Sequence, residues 1–175
     1  MKNILKNFDD FFISIINRKI KNKYMDKFFP LFTRLGDPIS IVIICGGLFL
    51  IKNSNLGKVN AICMVISQLF VQIFKKLAQR PRPSWFDDYV ESFGIELYDY
   101  SFPSGHTNAA WIIFLVVSKF YEFAFLPLIL FAILISISRI YLGVHYPTDV
   151  VGGIVIALIV VFLVCKFLNR GLLCY

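Results

Sequence analysis

The chain has 175 residues, 58% hydrophobic and 17% charged, with 18 Lys and Arg against 11 Asp and Glu for a formal net charge of +7. A mean hydropathy of +0.72 excludes an ordinary soluble domain and points to a polytopic membrane protein. The cations cluster at the ends of apolar runs, so they read as membrane flanks and not as a nucleic-acid surface, and anionic membrane lipid is the partner they fit.

Ile4, Leu5, Phe8, Phe11, Phe12, Ile15 and Ile16 recur at three-and-four spacing, with Lys2, Lys6, Asp9, Asp10 and Ser14 elsewhere. This predicts an amphipathic helix lying in the interface, where it anchors and packs. Asp9 and Asp10 interrupt any apolar core long enough for a cleavable signal. Arg18, Lys19, Lys21, Lys23 and Lys27 then end the segment. A span takes about 20 mostly apolar residues, and the candidates are 28–52, 57–76, 105–120, 123–142 and 148–168. Neither repeats nor the alternating segments of a β-barrel occur. The expected fold is all-α, a polytopic membrane helical bundle with about five transmembrane helices plus the N-terminal interfacial helix. It forms one domain over 1–175, with 1–27 as amphipathic and basic segment and 28–175 as transmembrane core.

The first span carries Arg34 and Asp37 beside Gly36 and Pro38, read as a structural pair at the interface, with a place facing the site as the alternative. In the second, Gln68 and Gln72 lie four apart and share one face, turned toward other helices. Its end reads Lys75-Lys76-Leu77-Ala78-Gln79-Arg80-Pro81-Arg82-Pro83, where two X-Pro pairs stop the helix and Lys75 and Arg82 supply cations from opposite sides of the break. Residues 84–101 interleave Trp85, Phe86, Tyr89, Phe93, Tyr98 and Tyr100 with Asp87, Asp88, Glu91, Glu96 and Asp99. Such aromatics suit headgroup depth, the loop could cover a pocket, and its carboxylates read as solvated.

Phe102-Pro103-Ser104-Gly105-His106-Thr107 follows as a tight turn, with Ser104 placed to cap a helix whose first N–H groups and dipole favour a bound anion. The last two apolar runs are joined by the stretch Ser138 to Gly153, which holds Arg139, His145 and Asp149. Ionisable groups beside hydrocarbon are costly, so a functional role is the default for them. A His can attack phosphorus, an Asp four residues on can fix its tautomer, and an Arg can grip phosphate oxygens in pairs. Pro147 belongs in the first turn of the last helix, which puts Asp149 on that turn and His145 just before it. Cys45, Cys63 and Cys165 lie in apolar runs and Cys174 in the tail, with no metal spacing and no disulfide framework.

Lys75-x6-Arg82-Pro83, Pro103-Ser104-Gly105-His106 and Ser138-Arg139-x5-His145-x3-Asp149, in that order, resemble the signature of the type 2 phosphatidic acid phosphatase superfamily. The resemblance runs from about Lys75 to Gly153. It implies His145 as nucleophile, Asp149 as its orienting carboxylate and His106 as general acid. It also implies Lys75, Arg82 and Arg139 as phosphate ligands, aided by Ser104 and Gly105, with Arg80 outside the signature as a supporting or lipid-facing residue. The implied activity is hydrolysis of a lipid phosphomonoester or diphosphate through a phosphohistidine, without cofactor or metal. Candidate substrates are phosphatidic acid, phosphatidylglycerophosphate or a polyprenyl diphosphate. A lipid phosphotransferase and a non-catalytic lipid-phosphate carrier are the rival readings.

The positive-inside rule alone would put the motifs in the cytoplasm. Family members work mostly on the outer face. Once the cations of the site are set aside, Lys52, Lys58, Lys119, Lys166 and Arg170 mark the other face as cytoplasmic, so the site is expected to be extracytoplasmic.

Overall fold

The computed structural model of the chain describes residues 2–50, 54–86, 90–93, 95 and 97–169. Lys52, Asp87, Asp88, Tyr89, Glu96, Arg170 and Cys174 lie outside the described residues. All the regular elements among those described are helical. α1 (Lys2–Ile13) runs into a π-helical turn, Ser14–Lys19. α2 (Lys23–Phe32), a 3-10 turn at Thr33–Gly36 and α3 (Pro38–Leu50) come next, then α4 (Ser54–Ala78) and the short α5 (Pro83–Phe86). α6 (Gly105–Phe120), α7 (Phe125–Tyr141) and α8 (Pro147–Asn169) complete the bundle.

The expected span 28–52 is a broken one. Asn22 starts it early, accepting hydrogen bonds from the N–H groups of Tyr24 and Met25 at 3.0 Å, as a good N-cap does. The chain then tightens at Thr33–Gly36, and Pro38 opens α3 in the position where its missing N–H is harmless. The two halves meet at 55°. Three other stretches among the described residues are long and apolar enough to cross a bilayer: Asn55–Trp85, Glu122–Tyr141 and Pro147–Leu168. The bent pair is a fourth if taken as one span. α6, at the place of the expected third span, has 16 residues, fewer than the ~20 a bilayer asks of a lone helix.

α6 is instead the centre of the bundle. Its Ile112, Ile113 and Val116 are buried against Val59 and Cys63 of α4 and Ala157, Val160 and Val161 of α8. Between helices in lipid, apolar contact separates the bundle from equally apolar tails only by packing quality, so close approach and interhelical hydrogen bonds matter more. Asn108 supplies both: it donates to Ser67 Oγ at 2.7 Å and to the carbonyl of Gly153 at 3.1 Å. Gln68, as its position predicted, turns inward and donates to Asn108 Oδ1 and to the carbonyl of Gly105. Such bonds contribute roughly 0.6 kcal/mol each. Gly153 permits the approach, because a Cβ there would stand 2.6 Å from the carbonyl oxygen of Ser104.

α1 lies against α8 with an inverted division of faces. Ile4, Leu5 and Phe11 are exposed by more than half, free for the interface as the amphipathic pattern predicts. The buried side carries Ile13 and, against that pattern, Asp9. Asn17, in the π-helical turn, is also buried. It donates to the carbonyls of Tyr141 and Glu91 and accepts from the N–H of Glu91, tying the loop after α5 to the end of α7. That end turns at Gly143, whose φ of +63 and a Cβ position 2.5 Å from Val90 Cγ1 suit glycine alone. The C-terminus of α4, the N-terminus of α6, the C-terminus of α7 and the N-terminus of α8 thereby share one end of the bundle.

Candidate active site

At that end a cavity of about 570 Å³ opens among α3, α4, α6 and α7. Its head is lined by Lys75, Arg82, Asp99, His106, Arg139 and His145, and its flank by Ile41, Val42, Met64 and Val65. Met64 lies 11 residues before Lys75 on α4, about 16 Å along a helix rising 1.5 Å per residue, so the cavity is a charged head on a long slot that is apolar apart from Gln68 and Gln72. Gly105 also lines it, in the first turn of α6. Of the residues expected at the site, Ser104 and Asp149 stand one layer behind.

His145 is 2% exposed. Its Nε2 faces the cations, 3.3 Å from Arg82 Nη1, and its Nδ1 lies 3.6 Å from Asp149 Oδ2 with no hydrogen-bond partner among the described residues. That is an ion-pair distance, longer than a hydrogen bond. Burial pushes the imidazole well below its ordinary pKa, and the charges of Arg82, Arg139 and Lys75 push it further. The ring is therefore neutral at pH 7, with a lone pair available on one nitrogen. Asp149 sits on the first turn of α8 as expected. Its Oδ2 accepts from the N–H of Tyr146 at 2.8 Å, half of a capping box, and its Oδ1 accepts from Arg80 Nη1 at 2.6 Å.

Lys75, Arg82 and Arg139, the three cations expected to bind phosphate, line the same cavity. Arg82 is 2% exposed, fixed by donating to the carbonyls of Val144 at 2.7 Å and Asp99 at 2.8 Å. Arg139, also buried, donates to Thr33 Oγ1 at 2.7 Å, while its Nε has no partner among the described residues. Lys75 closes the cluster on the α4 side. Ser104 caps α6, its Oγ 3.5 Å from the N–H of Thr107, and its own N–H donates to the carbonyl of Asp149 at 3.0 Å. The two motif turns are thereby joined directly.

Two carboxylates at or behind the site, Asp99 and Asp9, differ from the sequence reading, and for Asp37 and Arg80 the structure selects one of two stated alternatives. Asp37 does not pair with Arg34, which is exposed; its Oδ1 lies 2.8 Å from His106 Nε2. Asp99 is not a solvated loop carboxylate, for it bonds Lys75 and, at 2.5 Å, Arg82 Nη2. Burial alone would raise its carboxyl, but the hydrogen bond and charge of Lys75, then Arg82, outweigh it and hold the pKa at about 2. Arg80 is the supporting residue and not the lipid-facing one: it joins Asp149 to Asp9, whose Oδ2 accepts from Arg80 Nη2 at 2.6 Å. Asp9 is consequently part of the wall behind the site, where the amphipathic reading made it surface. The one available signal was that Asp9 and Asp37 are carboxylates within otherwise apolar surroundings.

No group of three or more His, Cys, Asp or Glu with metal-holding geometry occurs among the described residues. The arrangement can hold a tetrahedral anion against three cations and a helix N-terminus, with an unprotonated imidazole nitrogen facing it and a second imidazole on the cavity wall.

Residues 59–171 match the model of the PAP2 superfamily. Phosphatidylglycerophosphatase B of Bacillus subtilis is 35% identical over 138 residues, 73% of this chain and 65% of that protein. Undecaprenyl-diphosphatase BcrC of the same organism is 42% identical over 69 residues, 39% of this chain and 36% of that protein. The chain thus spans less than two thirds of the length of either relative. Among solved structures, the crystal structure of Aquifex aeolicus LpxE superposes with a TM-score of 0.83 at 29% identity, over 90% of this chain and 94% of that one.

Proposed function

This chain belongs to the PAP2 superfamily, and from that premise we propose that it is a single-domain integral membrane phosphatase acting on a lipid phosphomonoester or diphosphate. The observation that carries the reading is the placement of His145 Nε2 against Arg82, at the charged head of a cavity whose flank is apolar. The phosphate sits among Lys75, Arg82 and Arg139, with Ser104 and Gly105 at the α6 terminus, and the acyl or prenyl chain lies along the slot. The Nε2 lone pair attacks phosphorus and the bond to the leaving oxygen breaks; His106, whose pKa is held at about 4 by burial and Arg139 until the negative charge of the bound phosphate offsets them, takes up a proton as substrate binds and gives it to that oxygen. Asp149 takes the Nδ1 proton in a hydrogen bond and stabilises the charge that develops on the ring. Water, deprotonated by His106, then attacks phosphorus; the P–N bond breaks and its electron pair returns to Nε2. Asp37 holds the His106 ring.

Three cations neutralise the phosphate and repel a divalent ion from the same place, so the reaction is metal-independent. The site faces the extracytoplasmic side, with Lys58, Lys119 and Lys166 on the cytoplasmic one. Phosphatidylglycerophosphate and polyprenyl diphosphate, the substrate classes in the relatives' names, join phosphatidic acid as candidates. The test is release of inorganic phosphate by the purified chain from each of the three in excess chelator. Turnover of at least one, blocked by vanadate as a mimic of five-coordinate phosphorus, is expected. No release from any, or release only with added magnesium, refutes the proposal.

A further inference from the structure

Asp9 is 1% exposed, although it belongs to an N-terminal helix whose Ile4, Leu5 and Phe11 point outward. Both of its oxygens are used. Oδ1 accepts from the N–H of Thr148 at 2.9 Å, and Oδ2 accepts from Thr148 Oγ1 at 2.8 Å and from Arg80 Nη2 at 2.6 Å. The other end of the same guanidinium donates to Asp149 Oδ1 at 2.6 Å and Thr148 Oγ1 at 2.7 Å, and the group lies 3.9 Å over the Tyr146 ring. Arg80 is therefore shared between two buried carboxylates, one on α1 and one behind His145.

The charges decide what that sharing does. Arg80 and Asp149 alone would form a neutral pair, leaving little negative charge to face an imidazole that becomes cationic on phosphorylation. With Asp9 as second partner the cluster carries a net charge of −1. In a poorly solvated setting one unit of charge at this range matters. We propose that Asp9 is a positioning residue for the reaction: by holding Arg80 it keeps the charge and orientation of Asp149 available to His145, which makes the interfacial helix a working part of the site. This rests on the reading of His145 as nucleophile given above.

The test follows single-turnover phosphorylation of the purified full chain by p-nitrophenyl phosphate, quenched in alkali, across pH 4 to 8. Three variants are compared with the parent: Asp9→Asn, Asp9→Glu, and Asp9→Asn combined with Arg80→Gln. Asp9→Asn leaves the cluster neutral, so its plateau rate should fall on the order of tenfold, and its acid limb should move down by about one pH unit. Asp9→Glu keeps the charge and should keep the limb. The double variant returns the cluster to −1 through Asp149 alone, and should regain both limb and most of the rate. The ester's own ionisation is common to all variants, as are Lys75, Arg82, Arg139 and His106, the other titratable groups facing His145. If Asp9 only docks the helix, the double variant, which loses a second partner, will be the slowest and the limb will not move. That result overturns the proposal. Label that is absent from the parent, or that survives His145→Ala, instead overturns the reading of His145 and this inference with it.

Discussion

At the scale of single residues, the proposed mechanism gives the two histidines separable tasks. His145→Ala should abolish turnover and phosphoenzyme together. His106→Ala should slow lipid hydrolysis by ~10²–10⁴-fold, the usual worth of a general acid or base, yet still be phosphorylated by p-nitrophenyl phosphate, whose leaving group needs no proton. Dephosphorylation also uses His106, so the phosphohistidine should accumulate. Rapid-quench labelling checks this: failure of His106→Ala to label means that the roles are misassigned. The motif residues Lys75, Arg82, His106, Arg139, His145 and Asp149 were legible in the sequence through the resemblance that the three motifs carry in order, and Arg139, His145 and Asp149 also because a charge beside hydrocarbon without a task is costly. Their carboxylate partners were not. Asp37 meets His106 across 69 positions, and Asp9 meets Arg80 across 71. No local spacing rule reaches that far, so Asp37 was assigned to its near neighbour Arg34 and Asp9 to a helix surface.

At the scale of elements, the loop between α5 and α6 takes part in the site through Asp99. Its carboxylate bonds two of the three cations proposed to hold the phosphate, in the manner in which a phosphate would. An incoming anion has to displace it, so Asp99→Asn should tighten inhibition by vanadate and by inorganic phosphate, on the order of tenfold for one removed competing charge; inhibition constants unchanged by the substitution would show that the contact does not compete. The sign of its pH dependence follows from its depressed pKa of about 2. Its stabilising contribution is complete above the unfolded value near 3.9 and is lost as pH falls through about 2. The parent and Asp99→Asn should therefore differ in melting temperature by the same amount at pH 5 and pH 8. The helices themselves were legible from apolar run length. The break at Thr33–Gly36 was less so, because Gly36 and Pro38 signal a turn without giving its 55°. The short α6 was taken for a span like the others because hydropathy reports how apolar a stretch is, not what surrounds it.

At the scale of the whole molecule, every residue proposed for catalysis is at one end of the bundle, so the orientation of the chain decides which lipid pool it meets. Tyr98, 90% exposed beside Asp99, is a suitable reporter. In a background without the native cysteines, Tyr98→Cys should react with an impermeant thiol reagent in intact cells; labelling only after permeabilisation would place the site inside. The shape of the cavity, charged at the head and apolar along the slot between α3 and α4, has a kinetic consequence. In the proposed reaction the two products belong to different phases: phosphate is diluted into bulk water, whereas the dephosphorylated lipid remains in the plane of the bilayer and still fits the slot. Substrate and spent lipid therefore compete within two dimensions, and the variable that governs turnover is their ratio per unit of membrane surface, whatever the volume of the suspension.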